Sequence, residues 1–242
     1  MKRVLDCSTA FVGLVLAFPF LFVIAIAIWL QDFQSPFYIA PRMARGGGTF
    51  PMAKLRSMVV RADQQGGVST SATDCRITPV GRFVRAYKID EVMQLWNVLK
   101  GDMSLIGPRP QVYKDAALYS EEERRMLMVR PGISDMASIV FADEGDVLKD
   151  SANPDLRYNQ KIRPWKSRLA LLYIDKQSFL LDLQLIVLTL VALVSRQAAL
   201  NKIQKLLLGW SADPLLIRMA RRQEPLIAYP PPGANDIVES CL

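Results

Sequence analysis

The chain has 242 residues, 51% of them hydrophobic, a formal charge of +7 and no histidine. Without imidazole, His-based triads, His-assisted phosphoryl transfer and most zinc sites are excluded, so chemistry falls to carboxylates, amines, guanidinium groups, hydroxyls or a bound ion. The positive charge favours anionic partners: phosphates, nucleic acid or an acidic lipid surface.

From Ala10 to Leu30 no residue is charged, a run long enough to cross a bilayer. It is too long for a cleaved leader, and no small-residue cleavage site follows Asp32. Pro19, near its middle, removes a backbone hydrogen bond and favours a kink. Lys2 and Arg3 precede the run; Arg42, Arg45, Lys54 and Arg56 follow it. Basic flanks on both sides give little inside-outside asymmetry. Two topologies therefore stay open, a kinked spanning helix and a helix that returns to the leaflet it entered. Ser35 to Phe50, with its prolines and Gly46-Gly-Gly48, reads as a linking loop. Arg42, Arg45 and the glycines offer a phosphate cradle, though linker flexibility alone accounts for them. Phe50 to Met58 reads as a short strand, and the polar stretch from Ala62 to Asp74 as a surface loop.

Val80 to Leu99 is expected to form a central helix in two pieces joined near Lys88. A second amphipathic helix is expected over Tyr113 to Val129, with Glu121-Glu-Glu-Arg-Arg125 as a solvated face. The apolar run Leu183 to Ser195 is too short to span, which suits a core or interfacial helix. Arg196 to Trp210 places Leu200, Ile203, Leu207 and Trp210 on one face with Lys202 and Lys205 between. Such a helix suits either the headgroup layer or the core. Pro230-Pro-Pro-Gly233 opens a tail expected to be disordered. Cys7, Cys75 and Cys241 cannot all pair and lack metal-ligand spacing, which fits a reducing compartment; Cys241 lies outside any prenylation motif. Long periodic segments outnumber strand-like ones, so the expected fold is mainly α with a few short strands.

The most informative stretch runs from Lys88 to Pro110. At helical pitch, Val92, Leu95, Trp96 and Leu99 form the expected buried stripe. Asp90, Gln94 and Asn97 form a polar stripe, with Glu91 about a quarter-turn away. A polar stripe is ordinarily a solvated face. Here Arg82 and Arg85 precede it, and Asp102, Arg109 and Arg130 follow. Acids mixed with arginines suit a site holding a metal ion and a phosphate together, because guanidinium forks onto phosphate oxygens while carboxylates hold Mg²⁺.

Asp90-Glu91, Gln94-Leu, Asn97-Val-Leu-Lys-Gly-Asp-Met-Ser-Leu-Ile-Gly-Pro-Arg-Pro110 and Arg130-Pro-Gly-Ile133 together resemble the bacterial sugar transferases, monotopic phosphoglycosyl transferases acting on polyprenyl phosphate. Lys2-Arg-Val-Leu-Asp6, Lys54-Leu-Arg-Ser-Met58 and Thr78-Pro-Val-Gly-Arg-Phe-Val-Arg85 extend the resemblance to roughly residues 1–195. It implies a re-entrant membrane helix over 1–35, kinked at Pro19, a catalytic domain over 36–195, and an appended amphipathic helix and Pro-rich tail over 196–242. It implies transfer of a sugar 1-phosphate from a UDP-sugar to undecaprenyl phosphate, with release of UMP, at the cytoplasmic face of the bacterial inner membrane, starting glycan assembly. Asp90 would be the nucleophile beside Glu91, with Mg²⁺ on Glu91 and Asp102. Phosphate and substrate contacts would come from Lys54, Arg56, Arg85, Gln94, Asn97, Arg109 and Arg130. The chain departs from the family at Phe18-Pro19, where Ser-Pro is common, and at Met93, where Pro is usual. It departs again at Ser134-Asp-Met-Ala-Ser138 and Asp143-Glu-Gly-Asp146, which bear on sugar or nucleotide selectivity. Two other classes compete. A membrane-anchored nucleic-acid binder needs a contiguous basic face, whereas these charges are dispersed among acids, so nucleic acid is not an expected partner. An inactive scaffold would not need Asp90-Glu91. Whether two chains pair is left open.

Overall fold

The computed structural model describes residues 1–62, 74–149 and 151–240. The loop read over Ala62 to Asp74 lies outside them except at its ends, as does Cys241. The described chain is mainly helical with two small sheets.

Helix α1 (Lys2–Trp29) runs unbroken through Pro19 and is about 42 Å long at the α-helical rise. In its most apolar window only 17% is buried, and Phe11, Leu16, Phe18, Phe22 and Val23 are exposed. An apolar face of that size marks a membrane or protein contact, and the helix fits a membrane anchor. Its other face lies on the rest of the chain at both ends. Near the start, Lys2 bonds Asp182 at 2.7 Å, Arg3 donates to the Val98 and Leu99 carbonyls, and Asp6 accepts from Ser104 Oγ at 2.7 Å. Near the end, Leu21, Ile24 and Ile28 pack with Leu55, Val84 and Ile89.

Strands β1 (Phe37–Met43) and β2 (Thr49–Leu55) form an antiparallel hairpin, Phe37 opposite Leu55 and Met43 opposite Thr49. The stretch from Ser35 to Phe50 is therefore half strand rather than loop; only Ala44 to Gly48 turns, with Gly46 and Gly47 at positive φ. Helix α2 (Pro79–Ala86) starts where the Thr78 hydroxyl accepts from Gly81 N at 3.0 Å, with Pro at its first position. Lys88, at φ 54°, breaks the chain as expected; a 3₁₀ turn (Ile89–Met93) and helix α3 (Gln94–Lys100) follow, and Gly101 closes α3 at φ 97°.

Strands β3 (Ser104–Ile106) and β4 (Gly132–Ser134) pair in parallel. At the end of that pair a Cβ on Gly132 would lie 2.1 Å from Gly107 N. Two glycines thus let the backbones touch and fix where Pro108-Arg109 leaves the sheet. Between the strands the expected long helix is split into α4 (Tyr113–Ala117) and a 3₁₀ segment (Glu123–Met128). The cause is local: Ser120 Oγ accepts from Glu123 N at 3.1 Å while Glu123 accepts from Ser120 N at 3.1 Å, a reciprocal cap that restarts the helix. Nor is the charge run simply solvated, since Glu123 is 0% exposed and paired with Arg163.

Helices α5 (Met136–Val140), α6 (Glu144–Leu148), α7 (Pro154–Lys161), α8 (Arg163–Lys176), α9 (Phe179–Val194), α10 (Arg196–Gly209) and α11 (Pro214–Ala220) complete the chain. Trp165, Leu169 and Tyr173 make α8 the spine of the core. In α10, Ala199, Leu200, Ile203 and Leu207 are buried in that same cluster, so core packing takes the face that also suited the headgroup layer. The boundary at 196 is not a seam in the core. The tail is ordered: Trp165 Nε1, Arg168 and Ser120 donate to the carbonyls of Ile227, Pro230 and Pro232, and Leu226 is buried. Side-chain donors on α8 and at Ser120 thus supply partners for carbonyls of a segment whose prolines have no N–H of their own.

Candidate active site

The acid pair sits on the 3₁₀ turn between α2 and α3, with Ile89 beside it packed under the end of α1. The polar stripe faces inward: Asp90, Gln94 and Asn97 are 7%, 1% and 1% exposed, whereas Trp96, expected in the core, is 53% exposed. Helical period assigns residues to a face but not the face to a side. Here the face carrying Leu95 meets α1, close enough that a Cβ on Gly13 would lie 3.0 Å from Leu95 Cδ1, and Trp96 is left outside.

The two carboxylates differ in their partners. Glu91 is forked by Arg109, whose Nη1 reaches Oε2 at 3.2 Å and whose Nη2 bonds Oε1, and Lys54 Nζ lies 3.5 Å from Oε1. Asp90 takes no hydrogen bond among the described residues; its nearest cation is Lys54, at 3.8 Å. Burial pushes the Asp90 carboxyl above the usual aspartate range, against the pull of Lys54. Burial acts the same way on Glu91 but is outweighed by Arg109 and Lys54, which hold it well below the carboxylate range. Burial lowers Lys54 and Lys88, against Glu91. Two adjacent acids thus become one locked anion and one open, more basic carboxylate.

Arg85 is half-buried, makes no hydrogen bond among the described residues, and acts electrostatically on Asp90. It is available to an anion. Arg109 joins the site through Glu91. Arg130 is half-buried with no side-chain partner among the described residues; its carbonyl packs at Gly107. Gln94 is buried with Nε2 unpaired. Three assigned residues are engaged elsewhere. Arg56 forks onto Asp32, with Nη2 to Oδ1 at 2.6 Å, and donates to Ser35 O at 2.7 Å, stapling the exit of α1 to β2. Asn97 accepts from Ala53 N at 2.9 Å and donates to Pro51 O at 2.8 Å and Asp102 Oδ2 at 3.1 Å, which uses its whole amide to seal the free edge of β2. Asp102 pairs with Lys100 at 3.5 Å. Glu91 lies before α3 and Asp102 after it, where Asp102 accepts from Asn97. Among the described residues no three metal-type side chains cluster.

Sequence reasoning placed the helix break near Lys88 but gave its side chain no role, and weighed Arg42 as a phosphate cradle or a linker residue. Arg42 lies on β1 within electrostatic reach of Arg109 and Asp115, and burial lowers it. No spacing rule connects β1 to residue 109; only the hairpin brings them together.

These features define a class: a helical domain with an apolar anchor and a partly buried acid pair set among cations that suit a phosphate. The chain belongs to the bacterial sugar transferase family, whose model matches residues 1–196. It is 33% identical over 170 residues to the UDP-N-acetylgalactosamine-undecaprenyl-phosphate N-acetylgalactosaminephosphotransferase of Aeromonas hydrophila, covering 68% of this chain and 40% of that protein. To the UDP-glucose:undecaprenyl-phosphate glucose-1-phosphate transferase of Caulobacter vibrioides it is 35% identical over 172 residues, 68% of this chain and 64% of the other. The uncharacterized sugar transferase EpsL of Bacillus subtilis is 32% identical over 190 residues, covering 78% and 85%. The chain thus covers less than two thirds of the first two relatives.

Proposed function

We propose that this chain transfers a sugar 1-phosphate from a UDP-sugar to undecaprenyl phosphate, releasing UMP, through a phospho-aspartyl intermediate on Asp90. The observation that carries this reading is the asymmetry of the acid pair. Charge-assisted hydrogen bonds weaken a nucleophile, and of the two acids only Asp90 is without one among the described residues. Its raised pKa makes it the more basic oxygen.

The steps balance without histidine. An Asp90 oxygen attacks the sugar-bearing phosphorus of the donor, the bond to the bridging oxygen breaks, and UMP leaves. An oxygen of the lipid phosphate, already anionic, then attacks the same phosphorus; the aspartyl–phosphorus bond breaks and Asp90 is free again. Lys54, Lys88 and Arg85 surround Asp90 with positive charge, which such transfers need at the developing phosphoryl oxygens. Glu91 orients Arg109. Magnesium binds through one or two carboxylates plus substrate phosphates; Glu91 would hold Mg²⁺ with the donor's diphosphate through the lone pairs that Arg109 leaves open. When bound there, the ion neutralises charge on the departing nucleotide.

The reading also places the protein in one leaflet, on the cytoplasmic face of the inner membrane. Asp6 and Ile28 lie about 33 Å apart along α1, longer than the hydrocarbon core, and the same domain touches both. A helix crossing upright would carry one end away from that domain. Lying back along it keeps Asp90 where a water-soluble donor and a lipid acceptor meet. Apolar residues exposed on α9, Val187, Leu190 and Leu193, suit the same surface.

The test is UMP release in detergent from a UDP-sugar panel with undecaprenyl phosphate, with and without EDTA. Asp90→Asn is expected to abolish turnover, and intact-mass analysis of wild-type protein with donor alone to show a sugar-phosphate adduct. Near-normal turnover by the Asn variant would remove Asp90 as nucleophile.

A further inference from the structure

Behind Arg109 lies a cavity of about 30 Å³ that the acid pair does not use, lined by Asp115, Tyr119, Asp135, Tyr158 and Lys166 as well as Arg109. That is room for about two water-sized groups. Asp135 is 2% exposed, and its Oδ1 takes both Ser138 bonds, from N at 2.6 Å and from Oγ at 2.7 Å. Its Oδ2 takes none among the described residues. The hydroxyls of Tyr119 and Tyr158, on side chains 7% and 9% exposed, are likewise without a hydrogen bond there, as is the Asp115 carboxylate. Buried polar groups are ordinarily paired. None of these atoms is sealed off; the fully enclosed unpaired atoms are on Gln94, Asp143, Arg196 and Arg222. Four side chains with unpaired oxygens among the described residues therefore line one small hollow.

The charge balance says what kind of partner. Arg109 is committed to Glu91, Arg163 to Glu123, and Lys166, 5.5 Å above the Tyr158 ring, to Glu144. With all three cations neutralised and two carboxylates on the wall, a phosphate is disfavoured, whereas a neutral group that donates hydrogen bonds suits it. We propose that this hollow takes one edge of the donor sugar through one or two ring hydroxyls, with Asp135 and Tyr158 as specificity-determining residues. The assignment rests on the phosphoryl transfer argued above. Arg109 is the shared wall: its guanidinium holds Glu91 of the acid pair and lines the hollow. A phosphorus held before Asp90 has its sugar as the neighbouring group. A sugar hydroxyl donates to Asp135 Oδ2, and Tyr158 Oη donates to or accepts from the next. A donor with that hydroxyl inverted leaves a buried carboxylate oxygen unpaired, which is how such a site discriminates.

The experiment measures kcat/KM for pairs of UDP-sugars differing in the configuration of one hydroxyl. Asp135→Asn keeps the Oδ1 acceptor that caps α5, and Tyr158→Phe keeps the ring under Lys166. Each is expected to change the ratio between epimeric donors about 10- to 100-fold, with KM for undecaprenyl phosphate unmoved. Ser138→Ala is the control: it removes the Oγ contacts with Asp135 Oδ1, the Asp135 backbone and Ser134 but none with Oδ2, and should lower Tm while leaving the donor ratio alone. Folded Asn and Phe variants whose ratios stay within about twofold of wild type, by the same measure, would overturn the subsite. Wild-type protein inert toward every donor would instead overturn the transfer reaction beneath it.

Discussion

Glu123→Gln tests how much of the site's framework hangs on one buried ion pair. Glu123 is 0% exposed and its partner Arg163 3%. Arg163 Nε reaches Oε1 at 3.0 Å, and Ser167 Oγ donates to the same oxygen at 2.6 Å. The guanidinium also donates to Asn159 Oδ1 at 3.0 Å and Leu118 O at 2.5 Å, with its carbon 5.3 Å from the centre of the Tyr119 ring. Glutamine keeps the volume and one acceptor but leaves a buried cation without its counter-charge, a loss of about 3–5 kcal/mol. For a chain of this size each kcal/mol moves Tm by about 2–4 °C, so the expected fall is roughly 6–20 °C. Thermal unfolding in one detergent, with wild type alongside, reads it. The double variant Glu123→Gln/Arg163→Met removes the stranded charge and should recover part of the loss. A single variant within about 0.5 kcal/mol of wild type, or a double variant no better than the single, would refute the argument.

The pH dependence follows from opposite shifts at neighbouring acids. The transferring form needs Asp90 ionised, and burial raises its pKa above the ordinary aspartate range; turnover should therefore fall as pH drops through that raised pKa, while Glu91, held low by Arg109 and Lys54, stays ionised. Lys54→Met removes a cation that lowers Asp90, so the acid limb should move to higher pH, and an unmoved limb would count against the pairing. Asn97→Leu strands Ala53 N and the Pro51 carbonyl and should cost about 2–4 kcal/mol in stability, read by denaturant unfolding; a change in donor KM with unchanged stability would restore its substrate role. Arg56→Leu frees Asp32 and should increase protease cleavage between Gln31 and Phe37 in detergent while kcat stays near wild type; a kcat loss without added cleavage would return Arg56 to the nucleotide.

Much of the fold was legible because its signals are local. The uncharged run gives α1, Thr78-Pro79 gives the start of α2, and Gly101 gives the end of α3. The failures share a cause, which is that tertiary partners decided the outcome. A helix was expected through Ser120, but Ser120 and Glu123 cap each other and Glu123 is drawn inward by Arg163. The tail was expected to be disordered from its Pro-rich composition, but Trp165, Arg168 and Ser120 donate to its carbonyls. Hydropathy described each residue correctly and could not name its neighbour.

At the candidate site the limit was subtler. Asp90 and Glu91 are adjacent and nearly equivalent by spacing, and only the family resemblance named Asp90 as the nucleophile. The structural asymmetry between them comes from Arg109, eighteen residues on. Its place is fixed where Gly107 and Gly132 let two backbones meet, and from there it forks onto Glu91 while Asp90 takes no hydrogen bond among the described residues. Asn97, which shares a stripe with Asp90, shares none of its task, because its amide is closer to the edge of β2 than to any open face. A motif thus marks where chemistry can happen. Which atom performs it depends on which neighbours are already committed, and that is settled by contacts between segments far apart in the chain.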